Sequence, residues 1–374
     1  MRIESIRSEV LATPFKVAFK HASADRKAMQ SLWVEVSAAS GATGMGEGCP
    51  REYVTGESLA TARDFVERHR GDWLAAIIDV SSLTAWVDGN RKEIDANPAA
   101  WSAVELALLD CLGKESGLTL EELLGTPALA GSYRYSAVIG DGPPAAFEAQ
   151  LATYRKAGLR DFKIKLAGDR ERDLAKVRAL AAAGIAPQSV RADANNLWSD
   201  ARSAIAHLAS LDFAFFAIEE PLKCGDYEGM REMARSLGAR IILDESALRE
   251  NQLTALGEDA HRWIVNLRIS KMGGLVRSVQ VARRAKELRL AVIVGAHVGE
   301  TSVLTRAGLT IAELARDNLV AQEGAFGTHL LESDAVTPSL MFGAGGVLDL
   351  APHRPFGSGL GLAHRHSREG GNPG

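Results

Sequence analysis

Cysteine is scarce in this 374-residue chain: Cys49, Cys111 and Cys224 are odd in number and far apart. That excludes a disulfide framework, and the lack of a Cys-x-x-Cys pair excludes the common zinc spacing. Long apolar runs are missing too. Runs such as Phe213–Ile218 and Leu290–Val294 fall far short of the roughly 20 residues a membrane helix needs. The opening segment, MRIESIRSEV, carries charges where a signal peptide needs an apolar stretch, so the chain is expected in the cytoplasm. Nor is there an excess of one charge: 43 Lys and Arg against 47 Asp and Glu leave a net charge of −4. This gives no electrostatic reason to expect nucleic acid or a membrane surface as partner.

What is there is an ordinary globular composition, 46% hydrophobic and 24% charged, at a length that suits two domains or a barrel with an extra domain. Residues 1–130 read as α+β. A strand over Arg2–Ala12 and another over Leu32–Ser37 are followed by a Gly-rich turn (Gly41, Gly44, Gly46, Gly48). A helix over Trp101–Cys111 then ends at Gly113. Over 131–351 short apolar strands alternate with amphipathic helices: Tyr135–Ile139, Phe162–Leu166, Val190–Ala194, Ala214–Glu219, Ile241–Asp244, Ile264–Ile269, Ala291–Gly295 and Leu319–Glu323. Repeating strand–helix units imply a parallel sheet, and eight strands with seven helices imply a closed barrel. The stretch 352–374, ending HRHSREGGNPG, reads as a disordered tail.

The strand ends carry the chemistry. Lys165, Asp193, Glu219, Asp244, Arg268, His297 and Glu323 terminate seven consecutive strands at intervals of 24 to 29 residues, one strand–helix unit each. In a barrel, side chains at the C-terminal strand ends converge on one mouth. Three successive carboxylates, Asp193, Glu219 and Asp244, would there raise one another's pKa values and destabilise the fold unless a cation intervened. All-oxygen ligation points to Mg²⁺, with Mn²⁺ as a substitute. Asn195, Glu220 and Glu245 stand one or two residues from these positions, and strand alternation turns the two glutamates away from the mouth. One strand earlier, Lys163 and Lys165 form a Lys-x-Lys whose amines share a face. Adjacent ammonium groups lower each other's pKa, which makes a lysine usable as a base near neutral pH.

The segments FKIKL, RADANNLW, AIEEPL, ILDES and SKMGGL, in this order and spacing, resemble the mandelate racemase and muconate-lactonizing branch of the enolase superfamily. GEGCPREYVTGES and LALLDCLGKESGLTLEELLG resemble that family's capping domain, so the likeness covers residues 1 to about 350. It implies an α/β chain with an N-terminal α+β capping domain over a modified (β/α)7β barrel, its C-terminal segment returning to the cap. It also implies Mg²⁺ on Asp193, Glu219 and Asp244, and a small-molecule carboxylate substrate whose enediolate the metal stabilises. Lys165 is then the base and Lys163 the partner that holds the carboxylate. The loops Pro14–Arg26 and Glu47–Val54, with Phe15, Phe19, His21 and Tyr53, close over the substrate. Barrels of this branch commonly assemble, which implies a homo-oligomer.

The sequence departs from the pattern at the sixth strand. The muconate-lactonizing type has a second lysine there and the mandelate racemase type an aspartate; this chain has Arg268, with His297 at the seventh strand. Lys271, three residues on, belongs to the SKMGG turn and supports the site from behind. Arginine stays protonated, so Arg268 is suited to holding an anion, and its charge favours a neutral His297. With His297 opposite Lys165, the resemblance implies an isomerase catalysing racemisation, epimerisation or cycloisomerisation. A dehydratase of acid sugars or hydroxy acids is the first alternative and a non-catalytic carboxylate binder the second. Glu323 and Glu300 are expected at the substrate.

Overall fold

The computed structural model describes residues 1–365 except 22–23, 325 and 354–355; the side chains of 17–27 also lie outside the description. The chain opens with an antiparallel sheet of β1 (Ile3–His21), β2 (Ala24–Ala38) and β3 (Thr43–Gly48). The expected loop at Pro14–Arg26 is a hairpin instead: Phe19 pairs with Arg26 and His21 with Ala24. The expected glycine turn is largely strand β3. Its Gly44, Gly46 and Gly48 recur at the two-residue strand period and face α3 (Pro98–Ser116) so closely that a Cβ on each would lie about 2 Å from a helix carbonyl. Only glycine admits that approach. Before α3 come α1 (Leu59–Ala76) and α2 (Val80–Gly89). Gly113, the expected terminus of α3, lies inside it; the helix ends at Gly117, whose φ of 73° closes a left-handed cap.

Eight parallel strands follow in sequential order: β4 (Ala137–Ile139), β5 (Phe162–Lys165), β6 (Val190–Asp193), β7 (Ala217–Glu219), β8 (Arg240–Leu243), β9 (Trp263–Leu267), β10 (Ala291–Val294) and β11 (Leu319–Gln322). The curled sheet's two edges meet where Ser136 N–H donates to Gln322 O at 2.8 Å, beside a Ser136–Glu323 bridge. Helices α4 (Pro144–Lys156), α5 (Arg170–Ala182), α6 (Ala201–Ala209), α7 (Tyr227–Leu237), α8 (Leu275–Glu287) and α9 (Ser302–Leu314) connect most strands. A 3₁₀ segment, Glu250–Arg262, takes that place between β8 and β9. A continuous apolar strand such as Ala291–Val294 suits a sheet covered on both faces.

The tail expected from 352 is corrected by the structure as far as it is described. Leu360 and Leu362 are buried, Ala363–His364 pairs with Val336–Thr337, and Leu360 N–H donates to Asp110 of α3 at 2.8 Å. Gly113 is what admits this segment: a Cβ there would meet Gly359 at 2.5 Å. The C-terminal segment therefore returns to the cap, its apolar residues outweighing the polar texture around them. Residues 366–374 lie outside the described residues. Among the described residues, no helix is long and apolar enough to cross a membrane.

Candidate active site

Strand register assembles the mouth. Lys165 of β5 is the register partner of Asp193 on β6, and Asp193 that of Glu219 on β7. Asp244 stands one residue past β8 and Arg268 one residue past β9. Asp193, Glu219 and Asp244 are all buried, and cations lie among them. Lys163 Nζ is 2.7 Å from Glu219 Oε2 and 3.3 Å from Asp193 Oδ2. Arg268 Nη2 is 2.6 Å from Asp244 Oδ2 and 3.4 Å from Glu219 Oε1. Lys271 Nζ donates to the Asp244 carboxylate, to Asp244 O at 2.6 Å and to Asn266 O at 3.0 Å. Lys165 Nζ donates to Asn195 Oδ1 at 2.6 Å and lies 3.7 Å from Asp193 Oδ2.

The electrostatics follow from this packing. Burial works against the Lys163 ammonium, yet Asp193, Glu219 and Glu323 outweigh it and raise its pKa. The expectation that the two lysines would depress one another fails at Lys163, because three carboxylates surround it. Burial also opposes ionisation of Asp244, but Arg268 and Lys271 hold its carboxyl below the usual range. Glu219 differs: burial pushes it up to about 7 against the pull of Lys163, with Asp193, Glu323 and Asp244 adding.

Among the described residues, no three acidic, thiol or imidazole groups converge as a ready set of metal ligands. The Lys163 and Arg268 head groups instead contact these carboxylates. The donor chemistry still fits a hard divalent cation. Three carboxylates from consecutive strands share one buried region, and Glu219 Oε2 is buried without a hydrogen bond despite its closeness to Lys163. Burial first, and then its acidic neighbours, raise the Glu219 carboxyl, and a cation among the three carboxylates would relieve that mutual repulsion.

The supporting shell is continuous. Asn195 N–H donates to Asp193 Oδ1 at 3.2 Å while its amide oxygen takes the Lys165 bond. Glu220 does turn away from the mouth, and there it accepts from the Asp244 and Ser246 amides at 2.8 and 2.7 Å. Burial pushes Glu245 up to about 8, and its Oε2 is buried without a hydrogen bond.

Other expected residues lie elsewhere than at an open substrate surface. Glu323 is buried and accepts from Lys163 at 3.1 Å, with Arg191 Nη2 3.4 Å from its other oxygen. His297 is buried below the cap, with its backbone N–H and Nδ1 2.7 and 3.1 Å from Glu300 Oε1. Burial, then Arg268 and Arg51, hold the imidazole well below its ordinary value. Glu300 is thus occupied with His297. Tyr53 is 52% exposed on the cap loop, and Phe15 is buried against Met29 and Leu331. Phe19 and His21 fall among the side chains outside the description.

Two functional candidates escaped the sequence reading. Arg191, two residues before Asp193, points inward by strand alternation and donates to Asp161, at 2.8 Å from Oδ2, and to Ser136 Oγ at 2.7 Å. The reasoning that paired Lys163 with Lys165 could have found it. Arg51 of the cap loop donates to Gln30 O at 2.8 Å and to Val298 O at 3.4 Å. No local signal marks it.

Comparison with known proteins agrees with this architecture. Residues 2–125 match the mandelate racemase/muconate lactonizing enzyme N-terminal domain, and 146–367 match the enolase C-terminal domain-like family. A hydrophobic dipeptide epimerase from Enterococcus faecalis is 26% identical over 370 residues, covering 97% of this chain and all of that one. A crystal structure of dipeptide epimerase from Enterococcus faecalis with Mg and L-Leu-L-Tyr superposes with a TM-score of 0.80 at 25% identity, over 97% of this chain and 100% of that one. The dipeptide epimerase from Methylococcus capsulatus with Mg and L-Arg-D-Lys gives 0.82 at 27% identity, over 97% and 100%. The chain belongs to the mandelate racemase/muconate lactonizing enzyme branch of the enolase superfamily.

Proposed function

We propose that this protein is a Mg²⁺-dependent racemase or epimerase that removes and returns the α-proton of a small carboxylate substrate of the dipeptide or N-acyl amino acid kind. One observation carries the reading: a row of three buried carboxylates, on β6, on β7 and just past β8, flanked by Lys165 on β5 and by Arg268 and His297 beyond β9 and β10. Mg²⁺-bound dipeptide epimerases of this fold support it.

Asp193, Glu219 and Asp244 would hold a divalent cation, which would supply positive charge to a substrate carboxylate as negative charge develops on it. Every other part belongs to the chain. Lys165 Nζ carries the proton on one face, oriented by Asn195. Lys163, buried against Glu219 and Glu323, adds positive charge beside the carboxylates. Arg268 adds a permanent positive charge on the other flank. His297, neutral and buried, handles the proton on the second face through Nε2. Lys271 and Glu220 hold Asp244 by its carboxylate and its backbone.

The test is incubation with L-Leu-L-Tyr, L-Arg-L-Lys and N-succinyl amino acids in D₂O with Mg²⁺, followed by NMR at the α-carbon. Deuterium entering with inversion is expected for at least one class. Exchange with none of them defeats the reading, and loss of water from an acid sugar redirects it to a lyase.

A further inference from the structure

We infer that Glu300 is a positioning residue, not a substrate contact: it fixes the His297 imidazole with Nδ1–H bonded and the Nε2 lone pair presented to the site. The inference rests on the proposed two-faced proton transfer and adds what makes the second face work.

The backbone nitrogen and Nδ1 of His297 both address one oxygen. Glu300 Oε1 is 2.7 Å from the backbone nitrogen and 3.1 Å from Nδ1. An oxygen that already accepts the amide is set to accept Nδ1–H as well, which leaves Nε2 deprotonated in the neutral ring. Nε2 is the nitrogen left over: it is buried and has no hydrogen bond, in a residue 4% exposed. A buried acceptor without a partner costs free energy, and a proton in transit is what such an atom can use. Burial pushes the Glu300 carboxyl up to about 8, with Glu47 adding and Arg268 and Arg51 opposing. When the carboxyl binds a proton, Oε2 can carry it and Oε1 remains the acceptor.

The loop that holds the pair is clamped from the cap. Glu47 accepts from Thr301 N and Oγ1 at 3.0 and 2.6 Å. Arg51 reaches Val298 O. Gly299, at φ +91°, lies so near β2 that a Cβ would sit 2.7 Å from that of Met29. Three cap residues thus determine where Glu300 stands, and Glu300 determines the ring.

The experiment uses the full chain with Mg²⁺ and ¹⁵N-labelled histidine. Two-bond ¹H–¹⁵N correlations report each ring's tautomer, and His297→Asn assigns the signal. The expected wild-type state is Nδ1 protonated and Nε2 bare, kept in Glu300→Gln, whose amide oxygen can take the same place, and lost in Glu300→Met. A wild-type ring protonated at Nε2, or an unchanged tautomer in Glu300→Met, overturns the inference without any substrate.

Deuterium wash-in to L-Leu-L-Tyr and L-Leu-D-Tyr then reads the two faces separately. Glu300→Met should slow the His297 face by about 100-fold, leave the Lys165 face within about 3-fold, and be largely rescued in Glu300→Gln. Equal loss on both faces marks a purely structural role and overturns it. If exchange depends on His297 but not on Glu300, this inference alone falls. If His297→Asn leaves both faces unchanged, the two-faced reading falls with it.

Discussion

Two groups of buried carboxylates, at the barrel mouth and at the seam between cap and barrel, are handled differently. At the barrel mouth, Asp193 and Asp244 lie against Lys163, Arg268 and Lys271, and their carboxyls are held below the ordinary range against the effect of burial. At the seam between cap and barrel, Glu47 and Glu105 accept mainly N–H and O–H groups. Glu105 takes Val276 N–H at 2.9 Å and Trp101 Nε1–H at 3.0 Å, serving from the cap as the missing N-cap of α8. Gly274 is needed there because a Cβ would lie 2.4 Å from Glu105 Oε1, which explains the second glycine of SKMGGL. Burial pushes both seam carboxyls up to about 7. Cations hold Asp193 and Asp244 charged at the mouth, where Glu219 is the exception, whereas Glu47 and Glu105 at the seam have, among the described residues, no cation in hydrogen-bond contact and are raised by burial.

The largest effects should break the mouth. Lys165→Ala should lower turnover by about 1,000-fold or more while leaving Mg²⁺ affinity, measured by calorimetry, nearly unchanged. Asp244→Asn should weaken Mg²⁺ binding and turnover together; unchanged affinity would remove Asp244 from the proposed ligand set.

At the seam the prediction concerns pH. A carboxyl whose folded pKa lies above its unfolded value favours folding fully below the unfolded value, and that advantage is lost as pH rises through the folded one. For Glu105 the window runs from its ordinary 4.5 to about 7. Denaturation at pH 5 and pH 8 should therefore show stability falling as pH rises, by up to about 3 kcal/mol for the full shift of this one group. Glu105→Gln should be less stable than wild type at pH 5, where it forfeits the Trp101 bond, but should show a flatter slope. An unchanged slope would mean that Glu105 is ionised throughout.

The two regions also differ in how far the sequence revealed them. The mouth was legible because a barrel converts a recurring 24-to-29-residue spacing of ionisable strand ends into one location. The seam was not. Glu105 meets Val276 across 171 positions and Glu47 meets Thr301 across 254, and neither pairing leaves a periodic trace. The glycines of β3 were misread for a related reason: locally they signal a turn, and only the helix packed against them shows that they mark close contact. The C-terminal segment is hidden likewise, since Leu360 and Leu362 are set among glycines, Ser358 and His364, and much of what covers them lies across the fold.

Lys271→Met tests whether the mouth depends on its inner support. Lys271 is 2% exposed and holds Asp244 through two bonds, to its carboxylate and its backbone oxygen, while a third to Asn266 O fixes the amine. Losing them should cost about 10- to 100-fold in Mg²⁺ affinity, the range for groups that orient a ligand. The pH slope assigned to the seam should be unaffected. If the slope moves instead, the two regions are not independent.

The smallest effect expected is at Asn195, and it separates orientation of the base from the carboxylate row. Asn195 adopts φ 45°, a left-handed conformation that alanine would strain, so Asn195→Gly is the clean change: it keeps the backbone and its N–H to Asp193 while deleting the amide that holds Lys165. A hydrogen bond to a charged amine contributes about 1.5 kcal/mol at the lower end, fitting for a partly exposed Lys165, or roughly 10-fold in turnover. Mg²⁺ affinity should not change, because the Asp193 contact runs through the backbone. A fall in affinity that matches the fall in turnover would instead place Asn195 with the carboxylate row, and Lys165 would need another source of orientation.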